Sequence, residues 1–127
     1  QPFTLQWMRL FYMYGPGQSE KSLLSQLDHA IDEGHESFDM SPGDQLRDYL
    51  PVEAIAERFA RVIAQREVAG VINCCSGRPI SILQLIEQHL EARAASIRLN
   101  RGVYPYPDYE ALAFWGVPRR LRQFGFD

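Results

Sequence analysis

The segment Asp44-Gln45-Leu46-Arg47-Asp48-Tyr49-Leu50-Pro51 sets an arginine beside an aspartate where a loop runs into an extended stretch. A planar guanidinium there can grip a phosphate through charge-assisted contacts worth about 1.5–3 kcal/mol. Asp48 can orient that guanidinium or cap the following turn. The competing reading of Arg47 and Asp48 is a surface ion pair worth under about 1 kcal/mol. Tyr14-Gly15-Pro16-Gly17-Gln18 offers Tyr14 and Gln18 as hydrogen-bonding groups on a glycine-containing loop, or serves only as a strand-to-helix turn. Lys21 is expected in the first turn of the next helix, where it opposes the macrodipole and suits an anionic partner, although by itself it reads first as a solvated lysine. Arg78 lies in Ser76-Gly77-Arg78-Pro79-Ile80-Ser81, a strand-end turn before a helix whose orphan amides can face an anion. Tyr104 and Tyr106 belong to Tyr104-Pro105-Tyr106-Pro107-Asp108-Tyr109-Glu110. Stiff backbone and amphipathic rings suit a wall for a base or sugar, or simply a loop packed on the domain.

Other chemistries find no support. The three histidines, His29, His35 and His89, share no metal-ligand spacing and are expected to be solvated or capping. No P-loop, nucleophile elbow, His–carboxylate helix motif or G-x-G-x-x-G spacing occurs, so no catalytic residue and no metal ligand is assigned. Cys74 and Cys75 are adjacent, a spacing that suits neither a disulfide between them nor a zinc knuckle. They read as strand residues facing opposite sides of a sheet in a reducing cytoplasm.

The elements that must position these groups fit one hydrophobic core. The chain has 127 residues, 46% hydrophobic and 23% charged, with a net charge of −3. That balance gives no basic field for nucleic acid, and no apolar run nears the roughly 20 residues that cross a bilayer. The start, Gln1-Pro2-Phe3-Thr4, has neither the features of a secretory leader nor an initiator Met, the pattern of a processed chain or a piece of a longer one. Helical segments alternate with short strand-like runs, the α/β pattern. Residues 5–13 read as a strand buried on both faces. A helix over 20–33 is expected to be capped by Ser19 and stopped by Gly34. A short strand over 36–39 precedes the turn Ser41-Pro42-Gly43-Asp44. Residues 46–50 are extended, and Pro51 should open a helix whose core stripe is Val52, Ile55, Ala56, Phe59, Ala60 and Ile63. Another strand covers 68–75. Ser81 and Gln84 form a capping box for a third helix, with Ile82, Leu83, Ile86 and Leu90 on its inner face. A strand covers 97–99, and a fourth, short helix starts near Pro118. A sheet made from these elements alone would expose apolar faces or edges, so the chain is expected to pack against more protein.

Three motifs, in order, resemble the extended short-chain dehydrogenase/reductase family, the nucleotide-sugar epimerases and 4,6-dehydratases. They are Arg9-Leu10-Phe11-Tyr12-Met13-Tyr14-Gly15-Pro16-Gly17-Gln18; the stretch from Gly43-Asp44 through Arg47-Asp48-Tyr49 to Val52-Glu53-Ala54-Ile55-Ala56; and Gly70-Val71-Ile72-Asn73-Cys74-Cys75-Ser76-Gly77 with Ser81-Ile82. The resemblance implies an α/β fold: the C-terminal part of a Rossmann-like extended short-chain dehydrogenase, with short parallel strands and about four helices. It implies that residues 1–127 are the substrate-binding portion for a nucleotide-diphosphate sugar, with Arg47 on its diphosphate or nucleotide, Tyr14 and Gln18 on the overlying loop, Lys21 on the helix behind that loop, and Arg78 beside the nucleoside. Tyr12 and Glu53 depart from the family's usual Asn and Asp, and the late R-x-G-D arginine is not recognisable, which leaves ring stacking by Tyr104 and Tyr106. NAD or NADP is the implied cofactor. The family's glycine-rich loop and Tyr-x-x-x-Lys pair normally precede the first motif, so the N-terminal half of the same protein is an expected partner. Homodimerisation is a further expectation, as is a cytoplasmic location. The alternative is a non-catalytic nucleotide-sensing or protein-interaction module derived from that fold.

Overall fold

Among the described residues, every strand pairing joins segments distant in sequence, and all but one are parallel. The computed structural model describes residues 3–126. They divide into two compact units.

The first unit takes residues 3–16, 48–79 and 114–126. The expected strand over 5–13 is broken in two, β1 (Gln6–Leu10) and β2 (Tyr12–Tyr14). The break has a cause: β1 pairs in parallel with β6 (Gly70–Cys74), whereas β2 pairs in parallel with β5 (Tyr49–Pro51). The Tyr12 N–H already donates to the Asp48 carbonyl, so the chain changes partners at Phe11. Helix α2 (Val52–Ile63) follows β5, with Pro51 just before its first turn rather than in it. Met8 packs against two buried clusters, Leu50–Ile55–Cys74 and Val62–Ile72–Leu121.

Two expectations fail here. The helical stripe is rotated: α2 buries Ile55, Arg58 and Val62, while Ile63 is 71% exposed. Arg58 reaches the interior because its guanidinium stacks 4.3 Å from the Phe126 ring centroid and donates to the Ala54 carbonyl. The β1–β6 sheet is also buried on one face only. Met8 and Ile72 point to the core, and Gln6 donates to carbonyls near the end of α2, but the register partners Trp7 and Val71 are 61% and 48% exposed. Open apolar area on a parallel sheet is what the expectation of missing protein requires.

The second unit takes Gly17–Arg47 and Ile80–Ala113. Helix α1 (Leu23–Asp32) starts three residues later than expected and is capped by Ser22, whose side chain accepts from the Ser25 N–H. Strand β3 (Ser37–Asp39) pairs in parallel with β8 (Arg98–Asn100). The two-residue strands β4 (Leu46–Arg47) and β7 (Ile80–Ser81) pair antiparallel. Helix α3 (Ile82–Arg93) has the expected capping box in full and buries Leu85 and Ile86. Asp28 and Asp32 of α1 bind Arg93 of α3 at 2.7 and 2.8 Å, and Asp28 also meets His89 at 2.6 Å. His89 is therefore an inter-helix tie and not the solvated group its sequence context suggests.

The fold is α/β, with short parallel strands and three α-helices among the described residues. In place of a fourth helix, Leu121–Phe124 forms one 3₁₀ turn, ended by Gly125 at φ 85°. No helix among the described residues is long and apolar enough to cross a membrane.

Candidate functional site

Asp48 is completely buried, and its carboxylate is saturated by donors of its own unit. Oδ1 accepts from the Ser76 N–H at 2.7 Å and from Ser76 Oγ at 2.8 Å. Oδ2 accepts from the Gly77 N–H at 2.9 Å and the Gly116 N–H at 3.3 Å. Both glycines are forced by space. A Cβ on Gly77 would stand 2.9 Å from Pro118 Cδ, and one on Gly116 would stand 2.5 Å from Phe11 Cζ and 2.6 Å from Cys75 Sγ. Asp48 thus caps the turn after β6, 28 positions on, rather than the turn that follows it in sequence.

That turn carries Arg78. Its backbone N–H donates to Ser76 Oγ at 3.0 Å, while its side chain is exposed and has no ion-pair partner among the described residues. Tyr14 belongs to the same unit, at the end of β2, with its ring edge-on to Tyr49 at 6.4 Å. Gly15 follows at φ 141°, pressed so closely on Val52 that a Cβ would come within 2.7 Å.

Arg47, the last residue of β4, belongs to the second unit. Its side chain is only 6% exposed and meets the Glu110 carboxylate at 2.6 Å, so it is not the surface pair that one reading of the sequence offered. The segment bearing Glu110 is fastened along 42–47. Arg101 donates to the Pro42 carbonyl and pairs with Asp44, and the Tyr106 hydroxyl accepts from the Asp44 N–H and donates to Gln45 Oε1. The Leu46 N–H donates to the Leu112 carbonyl. Tyr106 is therefore held by its hydroxyl, and Tyr104 is exposed. Glu110 and Arg47 are 63 positions apart, so no local spacing announces their pairing.

Lys21 precedes the cap of α1 instead of lying in its first turn, and it is exposed. Gln18 is half-buried in the same stretch. A cleft of about 870 Å³ in this unit is lined by Tyr104 together with Glu20, Asp28, Asp32, Asp39 and His29. Four carboxylates and no arginine or lysine among its lining residues make it a poor seat for a diphosphate.

Cys74 ends β6 and Cys75 follows it; both are free and buried. Burial, with the nearby Asp48 charge second, pushes Cys75 up to about 11, which leaves it a protonated, inert thiol at neutral pH.

A family model for the NAD dependent epimerase/dehydratase family matches residues 3–75. The chain belongs to that family. Among curated relatives, this epimerase/dehydratase chain is 29% identical over 114 residues to dTDP-6-deoxy-L-talose 4-dehydrogenase (NAD(+)) of Aggregatibacter actinomycetemcomitans, covering 90% of the chain and 42% of the relative. Its fold matches UDP-N-acetylglucosamine 4-epimerase from Methanobrevibacter ruminantium with a TM-score of 0.79 at 23% identity, over 94% of this chain and 39% of that one. It also matches UDP-glucose 4-epimerase from Thermus thermophilus, solved with NAD, with a TM-score of 0.73 at 20% identity, over 94% and 40%. The chain spans about two fifths of the length of these relatives.

The described residues hold no cradle for the family's dinucleotide. A pyrophosphate cradle needs a glycine-rich turn leading directly into uncapped helix amides. Here α1 is capped by Ser22, α3 is closed by its reciprocal Ser81–Gln84 box, and α2 follows Tyr49-Leu50-Pro51 without a glycine. No hydride-transfer step is assigned to these residues.

Proposed function

We propose that residues 1–127 are the substrate-binding portion of an NAD(P)-dependent nucleotide-sugar epimerase or dehydratase, and that the N-terminal half of the same protein supplies the cofactor site and the catalytic groups. The observation that carries the proposal is the open Trp7–Val71 face of the β1–β6 sheet, on a chain two fifths the length of its relatives. Parallel strands are stable when covered on both sides, and polypeptide beyond these residues is the natural cover.

In this reading the chain binds a nucleotide-diphosphate sugar. The first unit offers Arg78 as an exposed cation and Tyr14 as a hydrogen-bonding group; the second offers exposed Lys21, Gln18, and the Tyr104 and Tyr106 rings. Arg47 reaches an anion only by exchanging the Glu110 carboxylate for a phosphate of similar geometry. These contacts supply positioning energy for a reaction performed elsewhere in the enzyme. Free buried cysteines fit a reducing, cytoplasmic setting.

Reading the coding sequence upstream of Gln1 tests the proposal. A glycine-rich strand-to-helix loop and a Tyr-x-x-x-Lys pair are expected there. A reading frame without either would leave a nucleotide-sensing or interaction module. If the 127-residue chain alone sediments as a stable dimer, a second copy and not an N-terminal half covers the apolar face.

A further inference from the structure

We infer that Asp48 is a positioning residue for the ligand's phosphates, a conclusion that rests on the substrate-binding reading above. The geometry that carries it is a relay inside one unit. The Ser76 hydroxyl lies 2.8 Å from Asp48 Oδ1 and 3.2 Å from the Arg78 carbonyl. Its single proton goes to the nearer, charged acceptor, and its lone pairs then accept the Arg78 N–H at 3.0 Å. Arg78 is thus tied to a buried carboxylate through one hydroxyl, and the next N–H back, that of Gly77, is tied to the same carboxylate directly.

A fully buried aspartate with no cationic side chain in ion-pair contact among the described residues is costly unless every lone pair is used. Here two donors on each oxygen use them. What the anchor secures is the backbone of a turn that carries an exposed guanidinium with no ion-pair partner among the described residues. Freezing the turn before a ligand arrives removes the ordering cost that a mobile arginine would carry into each binding event. Asp48 acts on the anion only through Arg78.

The test is a double-mutant cycle in the intact protein that contains residues 1–127. Wild type, Asp48→Asn, Arg78→Gln and the double variant are titrated calorimetrically with UDP, dTDP and GDP, and with the matching nucleosides. The expected result is that each single variant weakens diphosphate binding about tenfold, the loss of one charge-assisted contact. Nucleoside binding should stay within about twofold, and the double variant should be no weaker than Arg78→Gln. Equal weakening of diphosphate and nucleoside, or full additivity in the double variant, would overturn the inference and leave Asp48 a purely structural carboxylate. If Asp48→Asn does not fold, Ser76→Ala cuts the same relay while keeping the backbone donors, and it must show the same diphosphate-selective loss or the inference falls. Wild-type protein that binds none of the three diphosphates would remove the substrate-binding reading itself.

Discussion

Asp48 and Ser76 are joined twice through a single carboxylate oxygen, which accepts the serine N–H at 2.7 Å and its hydroxyl at 2.8 Å. The residues lie 28 positions apart, one between β4 and β5 and the other just after β6. Asp48→Ala would leave the N–H groups of Ser76, Gly77 and Gly116 without their acceptor. Each buried donor left unsatisfied costs roughly 1–3 kcal/mol, so a loss of about 3 kcal/mol or more is expected in urea unfolding at pH 7. A change within 1 kcal/mol, on the order of a surface substitution, would mean that the carboxylate does not organise the turn.

The Arg47–Glu110 pair joins β4 to the segment that follows β8, alongside the more exposed Arg101–Asp44 pair. Removing one member of a buried pair costs about 3–5 kcal/mol, and the partial exposure of Glu110 places Glu110→Gln at or below the low end. The proposed exchange of carboxylate for phosphate gives this variant a second effect. With the Glu110 charge removed, the protein should bind diphosphates at least as tightly as wild type, despite lower stability. Weaker calorimetric binding by a folded Glu110→Gln protein would show that Arg47 serves only the loop.

At alkaline pH the cysteines become a liability. Burial raises both thiols, Cys75 to about 11, above the ~8.5 of an exposed thiol. Their neutral forms favour the folded state fully below pH 8.5, and that contribution fades as pH climbs toward about 11. Native protein at pH 8 should resist iodoacetamide, whereas urea-unfolded protein should take up two alkyl groups by mass spectrometry. Rapid native labelling would contradict the burial.

The opposite sign holds at the α1–α3 tie. Burial works to raise Asp28, but hydrogen bonds from His89 and Arg93 outweigh it and hold the carboxyl below its ordinary value. Its contribution is present above the unfolded value of about 4 and disappears as pH falls through the lower folded one. Asp28→Asn should therefore lower Tm at pH 7 and lose that deficit as pH drops below about 4. A deficit independent of pH would remove the electrostatic account.

Gly116→Ala tests the crowding near the turn. Its new methyl would overlap Phe11 and Cys75, and relief by side-chain shifts should cost about 1–3 kcal/mol in urea unfolding. An unchanged midpoint would mean that the loop carrying Gly116 moves freely away from Phe11.

Much of this protein was legible from local chemistry. The Ser81–Gln84 box marks the start of α3, Gly34 lies just beyond α1, and the alternation of short strands with helices specifies α/β. These features depend on neighbours within four residues, which the chain order already holds together. The family, too, was legible, because its motifs are runs of consecutive residues. What tertiary structure alone decided is where the charged side chains go. Arg47 and Asp48 are covalent neighbours, yet one is committed to Glu110, 63 positions on, and the other to the turn at Ser76, 28 positions on. The rotated stripe of α2 has the same origin, since the Phe126 ring that lets Arg58 inside is far away in sequence. A buried charge takes whichever donors the folded backbone brings to it, and those donors are chosen by long-range strand pairing that local spacing does not encode.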